Sequence, residues 1–161
     1  MRHVRFVIVA LIAAWLPTSL AAPSELRPFD AASAGAIASA HAGRPYVVAF
    51  WSIHCAPCLE DMKDWRALAQ KFPDVPIILV TTDPPSERAK VRSVLARYQL
   101  DQAENWAFAD EFVERVRFAV DKDWRGELPR TYYYDARHRV DVRSGRVDRR
   151  VVDAWFARQS K

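Results

Sequence analysis

The chain has only two cysteines, and they stand in a C-x-x-C motif as Cys55 and Cys58. The apolar run from Tyr46 to Trp51 precedes the motif and predicts a strand buried on both faces of a sheet. A helix is predicted next, so Cys55 falls in its first turn, where unpaired N–H groups and the positive end of the helix dipole stabilise a thiolate. Cys58 follows one turn later and can close a disulfide with Cys55. The pair therefore predicts thiol chemistry.

The N-terminus has the pattern of a secretory signal peptide. Residues 1–5 are basic, the run from Phe6 to Leu16 is apolar, and Ser19-Leu20-Ala21 supplies small residues for cleavage. The apolar run is shorter than the roughly 20 residues that span a bilayer, so an uncleaved anchor is the less favoured alternative. No cysteine stands directly after the run, which argues against a lipoprotein anchor. We expect a signal peptide at residues 1–21, one domain at residues 22–161, and a periplasmic location.

The charge and length of the mature chain fit one domain with a nearly balanced surface. Arg2 and Arg5 are the only charged residues of the first 21, so the formal charge of +4 falls to +2 without them. The remaining chain of about 140 residues suits a single core, and nucleic-acid binding is not expected. The arginines between residues 137 and 150 predict a solvated rim, with a docking patch for an acidic partner or anionic lipid as the alternative.

The spacing of the cysteines favours chemistry over a structural role. Exported proteins commonly use disulfides as cross-links. A bridge between Cys55 and Cys58 closes too short a loop to constrain the unfolded chain much.

The pattern of the other residues predicts alternating strands and helices. Two strands joined by a helix form a right-handed βαβ unit, and an antiparallel hairpin and a closing helix follow. The expected fold class is therefore α/β, with a mixed sheet between two layers of helices. The predicted strands are residues 46–51, 76–82, 105–109, 131–135 and 139–143. The first predicted helix is capped by Asp30 or Ser33 and ends at Gly43. The other predicted helices are residues 56–72, 86–98, 110–118 and 147–159, and Ser86 is the predicted cap of the helix at 86–98.

The chain resembles the exported thiol-disulfide oxidoreductases of the TlpA/ResA type, which have a thioredoxin fold. Four features carry the resemblance, in order: the signal peptide, the strand ending in Phe50-Trp51, the Cys55-Ala56-Pro57-Cys58 site, and Leu128-Pro129 before the hairpin. The resemblance implies a thioredoxin fold over residues 22–161. It also implies that the Cys55–Cys58 disulfide is the redox group and that no other cofactor is needed.

The resemblance further implies roles for single residues. Pro129 corresponds to a cis-proline that faces the disulfide, and the backbone of Leu128 pairs with an extended substrate; an ordinary trans-proline is the alternative. Asp61 stands three residues after Cys58, where the family has an acid, more often glutamate, that exchanges the proton of Cys58. Alternatively, Asp61 only favours the first helical turn through the helix dipole.

Three residues near the motif need separate interpretation. A protonated His54 would lower the pKa of the neighbouring Cys55 thiol. The alternative is that the His54 ring is exposed and has no special role. The ring of Trp51 is expected to shield the disulfide and contact substrate. Ala49 stands where thioredoxins proper have a buried aspartate, which places the chain nearer the exported branch.

The leading functional hypothesis is an enzyme that reduces disulfides in exported proteins. Cys55 attacks the substrate disulfide and Cys58 resolves the intermediate, with re-reduction by a membrane thiol-electron donor of the DsbD/CcdA type, as the resemblance implies. The Ala56-Pro57 pair favours a reductant over an oxidant, and a monomer is expected. Compatible substrates include apocytochrome c and copper-site proteins of respiratory oxidases. The segment 101–127 is where substrate choice is expected.

Two other classes remain open from the sequence. One is a copper chaperone of thioredoxin fold that binds Cu(I) through Cys55, Cys58 and a histidine, with His138 as the available distal ligand. The other is a binding module that keeps the fold without catalysis. The intact C-x-x-C motif argues against the binding module.

Overall fold

The computed structural model describes residues 25–110 and 112–160. The predicted signal peptide and its boundary with the mature domain lie outside the described residues. The strands are β1 (Arg27–Phe29), β2 (Tyr46–Trp51), β3 (Ile77–Thr81), β4 (Glu104–Phe108), β5 (Arg130–Tyr134) and β6 (Val140–Ser144). The helices are α1 (Ser33–Ala40), α2 (Ala56–Lys71), α3 (Arg88–Arg97), α4 (Val113–Val120) and α5 (Arg149–Gln159), with a 3₁₀ turn at Pro85–Glu87.

The strands form one mixed sheet in the order β1-β4-β3-β2-β5-β6. The first four in this order are parallel to one another, whereas β5 runs antiparallel to both β2 and β6. The predicted mixed sheet and its antiparallel hairpin are confirmed.

Two cores lie on opposite faces of the sheet because side chains alternate along each strand. Val47 and Ala49 of β2 face one core, which α2, α3 and α5 complete. Val48 and Phe50 face the other, which α1 and α4 complete. Helices therefore cover both faces, and all six residues of β2 are buried as predicted.

The strand directions bring three loops to one edge of the sheet. Parallel strands β2 and β3 both end there, so the loops after Trp51 and Thr81 are neighbours. Antiparallel β5 begins at the same edge, since Arg130 pairs with Phe50. The segment that contains Leu128 and Pro129 therefore lies beside the loop that leads to Cys55.

The structure differs from the sequence predictions at helix starts. Ser86 lies inside the 3₁₀ turn and caps no helix; α3 begins only at Arg88. Neither Asp30 nor Ser33 caps α1 through its side chain; Asp30 instead accepts hydrogen bonds from the Ser33 hydroxyl and from the N–H of Ala32. The side chains of Asp30 and Ser33 thus stabilise a local turn and not the N–H groups of α1, which is an alternative that Asp and Ser commonly adopt.

No strand was predicted before residue 46, so β1 was missed. Only three residues long and containing Pro28, this strand has no detectable periodicity, and it lies at the sheet edge where proline is tolerated. Phe29 anchors it: the side chain is fully buried, stacked on Phe108 at 5.5 Å and edge-on to Phe50 at 5.6 Å.

We predict that Phe29→Ala destabilises the protein by about 3–5 kcal/mol, because the loss of a buried ring leaves a cavity under the edge strand. Phe118→Ala removes the same ring from an exposed position. It should change the free energy of unfolding by no more than about 0.5 kcal/mol. Guanidinium unfolding of both variants measures the difference. Equal stabilities would show that β1 does not contribute to the core.

Candidate active site

The two cysteines form a disulfide at the N-terminus of α2. Cys55 is the N-cap residue, in extended conformation, and its Sγ accepts a hydrogen bond from the N–H of Cys58 at 3.2 Å. It stands just before the first turn in which it was predicted, so its sulfur still lies against the unpaired N–H groups of the helix. Cys55 is partly exposed whereas Cys58 is buried, 1% exposed. An incoming reactant therefore reaches Cys55 first.

A buried carboxylate fixes the loop between β2 and Cys55. Asp83 accepts a hydrogen bond from the Ser52 hydroxyl at 2.6 Å, one from the N–H of Ile53 at 2.9 Å and one from the Thr81 hydroxyl. Ser52 Oγ in turn accepts the N–H of His54 at 3.0 Å. Asp83 was not singled out from the sequence. An acidic residue directly after a buried strand was the signal that could have singled it out.

His54 is exposed but has a partner. Its Nε2 lies 2.7 Å from Oε2 of Glu87, a residue that sequence analysis did not single out. Hydrogen bonds from His54 and Lys90 hold the pKa of the Glu87 carboxyl below its usual range. The predicted effect of His54 on the Cys55 thiol stays a prediction.

His54, Asp83 and Glu87 are the only group of three potential metal ligands found among the described residues. Their ligand atoms lie within 4.8 Å of one another. The carboxylate of Asp83 already accepts three hydrogen bonds, so it is poorly placed to coordinate an ion as well.

Asp61 is fully buried, one helical turn after Cys58. Its Oδ2 accepts the N–H of Val147 at 3.1 Å, and its Oδ1 lies 3.6 Å from Nε of Arg146. Burial raises the pKa of this carboxyl, and the N–H of Val147 and the Arg146 charge offset part of the effect. The alternative that Asp61 favours the first helical turn is wrong, because Asp61 lies beyond that turn and faces the core. Its proton exchange with Cys58 stays a prediction.

The Leu128–Pro129 peptide bond is cis, as the resemblance implied. Pro129 is buried, and its C=O accepts the N–H of Gly145 at 2.9 Å. The Leu128 side chain packs against both cores. Within residues 25–110 and 112–160, no hydrogen bond engages the N–H or C=O of Leu128. These groups are the ones that the predicted pairing with a substrate would use.

Two sequence predictions need correction. Trp51 is only 3% exposed and shares a core with Cys58, so a substrate would find almost no surface of its ring to contact.

His138 lies on the hairpin turn, where its Nε2 is 3.1 Å from the C=O of His41 and its ring packs edge-on against Tyr46. Tyr46 begins β2, whose six residues span roughly 17 Å. His138 is therefore at the opposite end of the sheet from Cys55 and cannot complete a copper site there.

Solved structures define the fold. The chain is similar to a secreted disulfide oxidoreductase of Mycobacterium tuberculosis, with 18% identity over 74% of this chain and 85% of that one and a TM-score of 0.61. It is similar to a thiol:disulfide interchange protein of the thioredoxin family from Chlorobium tepidum, with 16% identity, coverage of 77% and 85%, and a TM-score of 0.62. StoA from Bacillus subtilis matches at 15% identity, coverage of 71% and 83%, and a TM-score of 0.53.

The chain therefore has a thioredoxin-like fold, with a cysteine pair that forms a disulfide at the start of α2. No family model matches the chain, and no curated protein matches it. None of the helices in the described part of the chain is both long and apolar enough to cross a bilayer.

The raised pKa of Asp61 predicts a pH-dependent stability. Between the pKa of an unfolded aspartate and the higher folded pKa, the folded state binds more protons, so stability falls as pH rises. Asp61→Asn removes this dependence. The stability of Asp61→Asn relative to the wild type should therefore rise with pH above the pKa of an unfolded aspartate and level off above the folded pKa of Asp61.

Guanidinium unfolding of the oxidised proteins at several pH values tests this expectation. Asp74→Asn changes an exposed aspartate and serves as control. A stability difference between Asp61→Asn and wild type that does not change with pH would contradict the assignment of a raised pKa.

Proposed function

We propose that this protein is a thiol-disulfide oxidoreductase that reduces disulfides in exported proteins. The observation that carries the proposal is the disulfide at the N-terminus of α2, with one sulfur partly exposed and the other buried. This asymmetry assigns different tasks to the two cysteines: Cys55 meets the substrate and Cys58 completes the exchange.

The reaction starts from the reduced protein. The Cys55 thiolate attacks one sulfur of the substrate disulfide, and the other substrate sulfur leaves as a thiolate. Cys58 then loses its proton, with Asp61 as the nearest buried acceptor along α2, and attacks Cys55 Sγ. The Cys55–Cys58 disulfide forms and the second substrate sulfur leaves. Two electrons pass to the substrate, whose two thiolates take up protons.

The geometry around the disulfide supports these roles. The Asp83 network fixes the turn that presents Cys55. The backbone of Leu128, beside the cis-proline, has a free N–H and C=O within the described residues, which an extended substrate segment can engage. Such backbone pairing binds many sequences, and side chains outside it provide selectivity.

The exported location and the reducing direction are the finer parts of the proposal. The signal-peptide pattern at residues 1–21 supports export, and solved neighbours include proteins described as secreted. The Ala56-Pro57 pair and the resemblance to the TlpA/ResA type support a periplasmic reductant. Such a reductant needs a membrane thiol-electron donor of the DsbD/CcdA type. Proteins of cytochrome c or oxidase copper-site maturation are proposed as substrates.

A trapping experiment tests the assignment of tasks. Cys58→Ser should accumulate a mixed disulfide between Cys55 and a disulfide-bonded substrate such as insulin, because the resolving thiol is absent. Cys55→Ser is the matched control; its remaining thiol is buried, so it should trap at least about tenfold less. Non-reducing gels with mass spectrometry of the adduct measure both. Equal trapping by the two variants, or an adduct on neither, would contradict the proposed mechanism.

A further inference from the structure

One arginine lies between two consecutive carboxylates of α2. Arg146, in the loop that joins β6 to α5, places its Nη1 2.8 Å from Oε2 of Glu60. Its Nε is 3.6 Å from Oδ1 of Asp61. Glu60 is well exposed, whereas Asp61 is fully buried. The same guanidinium therefore lies close to one solvated carboxylate and one desolvated carboxylate.

The buried carboxylate is the less well satisfied of the two. Only Oδ2 of Asp61 accepts a hydrogen bond within the described residues, from Val147, and Oδ1 accepts none there. Leaving a buried oxygen of an ionised carboxylate without a donor is costly. Arg146 is close enough to attract Oδ1 electrostatically but, at 3.6 Å, donates no hydrogen bond to it. Its better contact is with Glu60.

Other groups near Asp61 do not replace this cation. Asp64 of α2 raises the pKa of Asp61, and the charge of Asp64 is itself paired with Arg149 of α5 at 2.9 Å. Tyr133 of β5 faces the same region; burial raises its pKa, so it stays neutral. Within the described residues, Arg146 is the only cation within 4 Å of the Asp61 carboxylate.

We propose that Arg146 is a positioning residue that sets the protonation of Asp61, and that Glu60 opposes it by drawing the guanidinium toward solvent. When Arg146 leans toward Asp61, the carboxylate is stabilised and can accept the proton of Cys58. When it leans toward Glu60, Asp61 holds a proton. The link to Cys58 rests on the proposed function, whereas the control of Asp61 does not.

The direct test is the titration of Asp61 in the oxidised protein, in which neither cysteine carries a proton. Carboxyl ¹³C NMR follows Asp61 in the wild type, Arg146→Gln and Glu60→Gln. Arg146→Gln should raise the midpoint by about one pH unit, because the nearest opposite charge is lost. Glu60→Gln should lower it, because Arg146 is released toward Asp61. Arg146→Lys keeps the charge and should restore most of the wild-type midpoint.

A double variant separates competition for Arg146 from simple removal of a charge. If Glu60 acts through Arg146, Glu60→Gln should have no effect on Asp61 in the Arg146→Gln background. Arg139→Gln removes an exposed arginine that is paired with Asp135 on the hairpin, and it should leave Asp61 unchanged. The pH profile of disulfide exchange should move in the same direction as the Asp61 midpoint.

Several outcomes would overturn the proposal. Two results would contradict the proposal that Arg146 sets the protonation of Asp61. One is an Asp61 midpoint that does not move in Arg146→Gln, and the other is an equal effect of Glu60→Gln with and without Arg146. A shifted midpoint with an unchanged exchange profile removes the link to Cys58. If Arg146→Gln does not fold, Glu60→Gln, at an exposed site, still tests the proposal. An Asp61 midpoint that does not move in Glu60→Gln would contradict the competition between Glu60 and Asp61 for Arg146.

Discussion

The arrangement of the site depends on the hydrogen bonds that Asp83 accepts. This carboxylate binds two hydroxyls and one backbone N–H, and so connects the end of β3 to the loop that leaves β2. Because β2 and β3 are adjacent and parallel, their ends are already side by side. Asp83 then fixes the last few residues before Cys55. The sulfur at the N-cap of α2 is thereby held against N–H groups that stabilise negative charge.

Two buried aspartates near the cysteines have contrasting environments. Asp83 meets a donor at both of its oxygens, an environment typical of a structural carboxylate. Asp61 has one hydrogen bond and one arginine at a longer distance, so desolvation raises its pKa. A carboxyl in such a setting keeps its proton to a higher pH than an exposed aspartate does. The contrast assigns Asp83 to the scaffold and makes Asp61 the candidate for proton exchange.

The sequence predicted the parts of the fold that local pattern determines. β2 has its predicted bounds because it is a continuous apolar run, and α2 matches within a residue because its apolar positions repeat at helical spacing. The edge strand β1 escaped detection because three residues carry no period. The cap assigned to Ser86 failed because residues 85–87 form a 3₁₀ turn, so that α3 begins only at Arg88.

The site was predictable only where a motif marked it. The cysteine pair, Asp61 and the cis-proline were found through spacing and resemblance. The sequence did not single out Asp83, Glu87 or Arg146, because each contacts a residue 30 or more positions away. The order of the strands in the sheet determines which of these distant residues meet. The same topology excluded His138, which had been predicted as the distal ligand of a copper site with Cys55 and Cys58.

The reduction potential of the Cys55–Cys58 couple tests the central claim most directly. The purified mature protein would be equilibrated with defined thiol buffers and its free thiols quantified. A reductant of exported proteins should have a potential near that of thioredoxin, about −270 mV or lower. A value near −120 mV, typical of a strong oxidant, would contradict the account and identify the protein as a disulfide donor.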